Sequence, residues 1–211
     1  MTAPDVLGIA NGVFEENTWL VWDGESRTAV VIDPGEESAR ILREIHDRNL
    51  QVQAIWLTHG HLDHVWGVDD IRAATNARVL LHGLDRAWYD RSREQAHYYG
   101  ITAFPQLAPP DRELHDGEVL ELGTWRFVVR HVPGHSPGHV AFIGHGLCLS
   151  GDVLFLDSIG RADLPGGDLA TLLQSIRSQL LTLPDDTRVL PGHGPETTIG
   201  RERRANPYLQ R

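Results

Sequence analysis

The stretch Thr58-His59-Gly60-His61-Leu62-Asp63-His64 directly follows the apolar run Ala54-Ile55-Trp56-Leu57. The apolar run predicts a buried strand, and the stretch places three imidazoles and one carboxylate at the end of that strand. Neutral imidazole and carboxylate are the usual ligands of zinc and of borderline ions such as iron and manganese. The stretch therefore predicts a metal site at a strand end; the alternative is a polar loop that is rich in histidine and binds no metal.

Matching residues occur in three later segments, each of which follows a short apolar run and contains glycine or proline. They are His135 in His131-Val132-Pro133-Gly134-His135-Ser136-Pro137-Gly138-His139, Asp152 in Leu149-Ser150-Gly151-Asp152, and His193 in Leu190-Pro191-Gly192-His193-Gly194. Each segment is typical of a turn that leaves a strand, and loops held by a rigid sheet often carry chemistry. Together the motifs supply about enough ligands for two metal ions with three protein ligands each and one shared carboxylate, which leaves coordination positions open for water.

The four motifs, in this order, resemble those of the metallo-β-lactamase superfamily, whose signature is His-x-His-x-Asp-His. The similarity extends over nearly the whole chain. The resemblance implies two divalent metal ions, with zinc, iron or manganese as candidates. The implied ligands of the first ion are His59, His61 and His135. The implied ligands of the second are Asp63, His64 and His193, with Asp152 as the bridge between the two ions.

Two positions in this chain, Asp152 and His61, differ from those of other branches of the superfamily. The lactamases that give the superfamily its name have cysteine or serine where this chain has Asp152, which argues against antibiotic hydrolysis. Flavodiiron oxygen reductases have glutamate in place of His61. Four segments resemble instead the compact bacterial branch of the glyoxalase II group; they are residues 150–155, 159–167, 191–195 and 206–209.

That resemblance implies hydrolysis of thioesters formed between hydroxy acids and a thiol such as glutathione. A bound metal ion can lower the pKa of water from about 15.7 to about 7, and the resulting hydroxide would attack the thioester carbonyl. Because thiolate is a good leaving group, no strong general acid is required. Asp63 and Asp152 are the predicted catalytic residues, and Asp63 is expected to orient the nucleophile or relay a proton in addition to binding metal.

Arg161 is the candidate residue for binding the substrate. Glyoxalase II enzymes place a lysine and a tyrosine against glutathione, and the matching positions here are Arg161 and Asp163. Arginine can bind a carboxylate through two hydrogen bonds, whereas Asp163 cannot replace the tyrosine. Arg161 is therefore a predicted substrate-binding residue, and the alternative is an internal salt bridge to Asp163 or Asp157.

Other activities remain open within the resemblance. Persulfide dioxygenases also retain Arg-x-Asp in this region but use a single iron ion, whose ligands here would be His59, His135 and Asp152. Their sequences tend to have Ala-His-Asp-Tyr where this chain has Pro191-Gly192-His193-Gly194, which favours the hydrolases. A lactonase or related ester hydrolase is the third possibility, and a non-catalytic metal-binding module is the fourth.

Composition agrees with a small enzyme that acts on a small molecule. With 211 residues, 41% of them hydrophobic, the chain suffices for one domain spanning residues 1–211. A net charge of −10 argues against nucleic-acid binding, which normally needs a basic surface. The sequence has neither a secretory signal nor an apolar run long enough for a membrane span, so a cytoplasmic enzyme without membrane partners is expected. The oligomeric state is not predicted.

Strand and helix patterns alternate in both halves of the chain. Residues 18–22 and 28–32 predict a hairpin, and residues 65–75 and 168–181 predict amphipathic helices, the latter with Leu169 on its apolar side. Together with the resemblance, these patterns predict an α+β fold of the αββα type: two mixed β-sheets packed face to face with helices outside and the metal ions at one edge. The aromatic-rich residues 85–111 are expected to cover the metal site; the alternative is an ordinary helix and loop anchored in the core.

Overall fold

The computed structural model describes residues 3–210, which contain two six-stranded β-sheets. The strands of the first sheet, whose order in space is also their order in the chain, are β1 (Asp5–Asn11), β2 (Glu16–Trp22), β3 (Thr28–Ile32), β4 (Gln51–Trp56), β5 (Arg78–His82) and β6 (Arg112–Leu114). β1, β2 and β3 pair antiparallel, and β3 to β6 pair parallel. The carboxyl ends of the parallel strands therefore lie at one edge of the sheet.

The strands of the second half of the chain are β7 (Val119–Leu122), β8 (Trp125–His131), β9 (Val140–Gly144), β10 (Leu147–Gly151), β11 (Leu154–Phe155), β12 (Ser158–Ile159), β13 (Arg188–Pro191) and β14 (Thr197–Thr198). β11 and β12 pair with each other, and the other strands form the second sheet in the order β14-β13-β10-β9-β8-β7. In this sheet β10 and β13 are parallel and the other neighbours antiparallel, so both sheets are mixed.

The helices are short. They are α1 (Ser38–Asp47), α2 (Leu62–Val65), α3 (Val68–Thr75), α4 (Arg86–Asp90), α5 (Ser92–Tyr98), α6 (Leu169–Ser175) and α7 (Ile199–Ala205). A 3₁₀ turn, Gly83–Asp85, precedes α4, and a π-helical turn, Ile176–Leu180, continues α6. Within residues 3–210, none of these helices has the length and apolar character needed to cross a membrane.

Three apolar layers hold the sheets and helices together. Trp56 of the first sheet packs between the sheets against Phe127 and Phe142 of the second, with ring centroids 5.7 and 5.2 Å apart. The outer face of the first sheet is covered by α1 through Ile41, and that of the second by α6 through Leu172. This arrangement confirms the prediction of two mixed sheets packed face to face with helices outside.

The predicted hairpin of residues 18–22 and 28–32 is confirmed, since Trp22 pairs with Ala29 in an antiparallel register. The strand β1, which was not among the predicted elements, extends this hairpin by a third strand. Its Gly8 lies against the ring of Trp19, where a Cβ atom would overlap the indole. The absence of a side chain at Gly8 weakens the alternating pattern by which a strand is recognised in sequence.

The single helix predicted over residues 65–75 is wrong at its start, because the chain forms two helices, α2 and α3, separated at Gly67. The Gly67 N–H donates to the Pro34 carbonyl oxygen at 2.9 Å, and a Cβ atom on Gly67 would overlap the Gly35 carbonyl oxygen. Because Gly67 lies so close to the loop after β3, the chain is not helical at residues 66 and 67.

The helix predicted over residues 168–181 begins as expected, because the Asp168 carboxylate accepts a hydrogen bond from the Thr171 N–H at 2.7 Å. Leu169, however, is 52% exposed, so the prediction that it lies on the buried side is wrong. Burial starts with Leu172, where the helix first meets the second sheet. The final turn is π-helical, and it ends with a hydrogen bond from the Leu181 N–H to the Ile176 carbonyl oxygen.

Candidate metal centre

The predicted site residues lie on four loops and the short helix α2, at one edge of the two sheets. The loop from β4 to α2 carries His59 and His61, and α2 itself carries Asp63 and His64. The loop from β8 to β9 carries His135, the loop from β10 to β11 carries Asp152, and the loop from β13 to β14 carries His193. Each loop follows a strand whose side chains fill the core, so the rigid part of the fold fixes where each loop begins.

The two sheets are fastened together at this edge by the start of β2 and the end of β13. The Asn17 N–H donates to the Gly192 carbonyl oxygen at 2.7 Å, and the Asn17 side-chain amide donates to Pro191 and Gly194 carbonyl oxygens at 3.2 and 2.7 Å. The Trp19 indole N–H also donates to the Pro191 carbonyl oxygen at 3.0 Å. We call these contacts the Asn17–Pro191 clasp; they hold the loop that carries His193 against the first sheet.

Three predicted ligands form a first cluster, His59, His61 and His135. One ring nitrogen from each lies within 4.8 Å of the others, and all three side chains are buried. The closest approach joins His135 Nε2 and His61 Nδ1 at 2.9 Å. Such convergence of imidazole nitrogens from two different sheets is the geometry that a three-histidine metal site requires.

A second cluster contains Asp63, His64 and His193, again with ligand atoms within 4.8 Å of one another. Asp63 Oδ2 lies 3.3 Å from His193 Nε2 and 3.7 Å from His64 Nε2. The His64 side chain is fully buried, whereas the His193 side chain is 28% exposed. The second cluster therefore faces solvent on its His193 side, where a substrate can approach.

Asp152 lies between the two clusters. Its Oδ2 is 3.6 Å from His135 Nε2 in the first cluster and 3.6 Å from His193 Nε2 in the second, and its Oδ1 is 3.4 Å from His64 Nε2. A carboxylate that lies this close to ligands of both clusters could contact two ions at once. This position agrees with the bridging role predicted for Asp152.

Hydrogen bonds fix the orientation of the imidazoles. His64 Nδ1 is 3.0 Å from Asp33 Oδ2, and the Asp33 carboxylate also accepts the Thr58 N–H at 2.7 Å and the Thr58 hydroxyl at 2.6 Å. Thr58 Oγ1 in turn lies 3.0 Å from His59 Nδ1. With protons on the Nδ1 atoms, the lone pairs of both Nε2 atoms point into the clusters. The side chain of Asp33 thus orients a ligand.

Backbone groups complete this orientation. His135 Nδ1 is 2.8 Å from the Arg161 carbonyl oxygen, so the loop after β12 holds this ring. The Asp152 N–H donates to His139 Nε2 at 3.0 Å, so His139 fixes the backbone at Asp152. His131 acts less directly, because its Nε2 contacts a backbone carbonyl oxygen of the loop that carries His135.

Burial and neighbouring charge set the protonation of the clusters. Burial, together with the neighbouring His135, lowers the pKa of His61 to about 3, and burial likewise lowers the pKa of His59. Burial opposes ionisation of His64 as well, but the carboxylates of Asp152 and Asp63 raise the pKa of His64 above its usual value. His59 and His61 thus offer neutral imidazoles, and the carboxylates of Asp63 and Asp152 place negative charge at the second cluster.

Three buried ligand atoms, His59 Nε2, His64 Nε2 and Asp152 Oδ1, make no hydrogen bond within the described part of the chain. His64 Nε2 and Asp152 Oδ1 form an ion pair at 3.4 Å. A buried polar atom without a hydrogen bond costs roughly 1–3 kcal/mol, so three of them at one place call for a bound ion. Because the three atoms are imidazole nitrogens and a carboxylate oxygen, a divalent metal ion fits them chemically.

Two glycines permit the close packing of the ligand loops. A Cβ atom on Gly192 would overlap Asp152 Oδ1 and His64 Cε1. Gly151 has φ +47°, and its Cβ atom would overlap the Thr58 side chain. Any larger residue at Gly192 would displace Asp152 and His64.

Three residues near the clusters were not predicted: Asp85, Gln95 and Glu16. Asp85 and Gln95 contact the loop that carries His59 and His61. Glu16 is almost fully buried, its Oε1 lies 3.9 Å from His64 Nδ1, and burial raises the pKa of its carboxyl group. None of the three belongs to a motif, although Asp85 shares with Asp33 its place just after a strand of the first sheet.

Aromatic and charged side chains surround the open side of the clusters. The rings of Trp88 and His61 lie 5.8 Å apart, so the segment 85–111 reaches the first cluster as predicted. Phe155 contacts His193 with ring centroids 6.3 Å apart. The Arg161 guanidinium, which is 55% exposed, donates two hydrogen bonds to the Asp163 carboxylate at 2.8 and 2.9 Å. The internal salt bridge considered for Arg161 is thus present, with Asp163 as the partner.

The family of the chain follows from a sequence comparison that agrees with this geometry. The sequence model of the metallo-β-lactamase superfamily matches residues 11–193, a range that includes every predicted ligand. The chain belongs to the metallo-β-lactamase superfamily.

One relative and two solved structures show which members of the superfamily the chain is similar to. Hydroxyacylglutathione hydrolase GloC of Haemophilus influenzae is 40% identical over 199 residues, which are 93% of each chain. The crystal structure of BLEG-1 B3 metallo-β-lactamase superposes with a TM-score of 0.92 at 37% identity, covering 98% of this chain and 100% of that one. The structure of TTHA1623 in a di-iron-bound form superposes with a TM-score of 0.88 at 43% identity, covering 96% and 100%.

Proposed function

We propose that the protein is a dinuclear metal-dependent hydrolase that cleaves thioesters of hydroxy acids, such as lactoylglutathione. One observation carries this proposal: two groups of three ligand atoms converge with the Asp152 carboxylate between them. The similarity to a hydroxyacylglutathione hydrolase over 93% of the chain supports the substrate class. The proposed metal ligands are His59, His61, Asp63, His64, His135, Asp152 and His193.

Two divalent ions at these positions would lower the pKa of bound water from about 15.7 to about 7 and polarise the thioester carbonyl. The protein's own contribution is to hold ligands and exclude water. Asp63 lies next to the exposed His193, so its carboxylate can accept a proton from the attacking water. Asp152 keeps the two clusters at a fixed separation.

Arg161 is the proposed contact for a substrate carboxylate. The Asp163 carboxylate accepts hydrogen bonds from Nε and Nη2 of the Arg161 guanidinium. An arginine side chain has five N–H donors, so others remain for a carboxylate of glutathione. The salt bridge therefore orients the guanidinium and is compatible with substrate binding, at the cost of partly neutralising its charge.

The test is thiol release from S-lactoylglutathione by protein stripped of metal and reloaded with zinc, iron or manganese. Turnover is expected after reloading and is expected to fall strongly in Asp152→Asn. The matched control is Asp157→Asn, which removes an equal charge from an exposed residue paired with Arg201. Absence of thiol release from a panel of hydroxyacyl thioesters by fully loaded protein would overturn the proposal.

Metal stoichiometry separates this function from persulfide dioxygenation, for which His59, His135 and Asp152 would hold a single iron ion. We expect close to two ions per chain by elemental mass spectrometry, because both clusters are complete. One iron ion per chain, with oxygen consumption on glutathione persulfide, would favour the dioxygenase. Iron is also a candidate for the dinuclear site, since TTHA1623 was solved in a di-iron-bound form.

A β-lactam is the second substrate class, and the likeness to BLEG-1 B3 metallo-β-lactamase favours testing it. The presence of Asp152, where the name-giving lactamases have cysteine or serine, leads us to expect slower turnover of a chromogenic cephalosporin than of a thioester. A simple lactone in the same assay series tests the ester-hydrolase alternative.

A further inference from the structure

Asp85 is a fully buried carboxylate to which the proposed function assigns no part. Its Oδ2 accepts hydrogen bonds from the Gly60 N–H at 2.8 Å and from the Ser136 hydroxyl at 2.7 Å. Its Oδ1 accepts the Gly138 N–H at 2.5 Å. Gly60 lies between His59 and His61, and Ser136 follows His135. One carboxylate therefore joins the two loops, one from each sheet, that carry the three-histidine cluster.

The Gly60 peptide is also held from its other side. Gln95 Nε2 donates to the Gly60 carbonyl oxygen at 3.2 Å and to the Trp88 carbonyl oxygen at 2.7 Å. A Cβ atom on Gly60 would overlap the Asp85 carbonyl oxygen and the Tyr89 nitrogen, so this peptide is packed directly against α4. The loop with His59 and His61 is thus held closely against the segment that carries Asp85.

We propose that Asp85 is a positioning residue that sets the spacing between His61 and His135, and with it the metal affinity of the three-histidine cluster. The inference rests on the ligand assignment of the proposed function. Asp85 itself does not touch the ligand atoms. The side chain of Asp85 accepts from two groups directly beside His59, His61 and His135, whereas Asp63 and His64 lie further along the chain in α2, so its effect is expected to be larger at the first cluster.

The test is metal affinity measured one site at a time. In a His193→Ala background the first cluster remains complete, and in a His135→Ala background the second remains complete. Asp85→Asn keeps the shape of the side chain but turns one acceptor into a donor, so either Gly60 or Gly138 loses the acceptor for its N–H. Zinc titration against a competing chelator is then compared with the Asp90→Asn variant, an exposed aspartate of α4 paired with Arg86.

Asp85→Asn is expected to weaken zinc binding at the first cluster about 10- to 100-fold, the range seen when a residue behind a ligand is changed. At the second cluster the change is expected to stay within about threefold, as for independent sites. Asp90→Asn is expected to leave both unchanged. Equal weakening at both clusters, or none at the first, would overturn the proposal, and so would failure of the first cluster to bind zinc at all.

A second variant distinguishes the loss of positioning from misfolding. Ser136→Ala removes one donor to Asp85 without adding bulk or charge, and is expected to weaken the first cluster in the same direction but less. A folded Ser136→Ala protein with unaltered zinc affinity at the first cluster contradicts the proposal. Because these measurements need no substrate, a protein that binds two ions but cleaves no thioester would refute the proposed function and leave the role of Asp85 standing.

Discussion

Asp33→Asn tests whether a residue behind the ligands governs the stability and metal affinity of the site. The Asp33 side chain is 2% exposed and accepts three hydrogen bonds, two from Thr58 and one from His64. Asparagine has one acceptor oxygen, and its amide group must face at least one of those donors. Since water cannot reach this position, the displaced donor stays unpaired.

The cost follows from that geometry. Leaving one buried donor without an acceptor destabilises a protein by roughly 1–3 kcal/mol. For a chain of this size, about 2 kcal/mol lowers the melting temperature by about 4–8 °C. The loss of the acceptor for His64 Nδ1 should also weaken zinc binding at the second cluster about 10- to 100-fold.

Thermal unfolding of metal-free protein measures the first effect, and zinc titration in the His135→Ala background measures the second. The control is Asp70→Asn, an exposed aspartate that accepts a hydrogen bond from Ser38, for which a change within about 0.5 kcal/mol is expected. If Asp33→Asn melts at the temperature of the control and binds zinc equally well, the orienting role given to Asp33 is refuted.

Four further substitutions test the site and the core. Asp152→Ala is expected to lower metal content and thioester turnover together, because its carboxylate faces both clusters; full loading with normal turnover contradicts a bridging role. Arg161→Ala is expected to raise KM for a glutathione thioester about 10-fold or more, while Asp163→Ala, which frees the guanidinium, lowers KM; an unchanged KM in both variants excludes Arg161 from substrate binding. Burial raises the pKa of Cys148 from 9.0 to about 12, so above pH 9 the unfolded chain ionises this thiol while the folded protein keeps its proton. The free energy of unfolding is therefore expected to fall relative to Cys148→Ala by about 1.4 kcal/mol per pH unit there, measured by urea unfolding at pH 8 and pH 10; a pH-independent difference contradicts this.

The candidate ligands could be predicted because each one follows a strand within a few residues. Residues 59–64 form one local motif, and the turns at His135, Asp152 and His193 each combine an apolar run with glycine or proline. The face-to-face packing was predicted from two strand-rich halves with helices, together with the resemblance to the family. That the same seven residues bind metal stays a prediction.

Other features depend on contacts that a single sequence does not reveal. Asp85 and Glu16 act through partners far away in the chain, and each is one acidic residue among many. The break between α2 and α3 is caused by a backbone contact of Gly67 with the loop after β3, whereas the local apolar spacing favours an unbroken helix. Tertiary contacts overrode local pattern in each of these cases.

The Asn17–Pro191 clasp has a consequence for how the protein is made. It joins residues 174 positions apart, so the partner of Asn17 is synthesised long after Asn17 itself. The last proposed ligand of the three-histidine cluster is residue 135, whereas the last proposed ligand of the second cluster is residue 193. At about 5–20 residues per second, that interval lasts roughly 3–12 s. The order of the ligands along the chain therefore allows an ion to enter the first cluster during translation, before the second cluster exists.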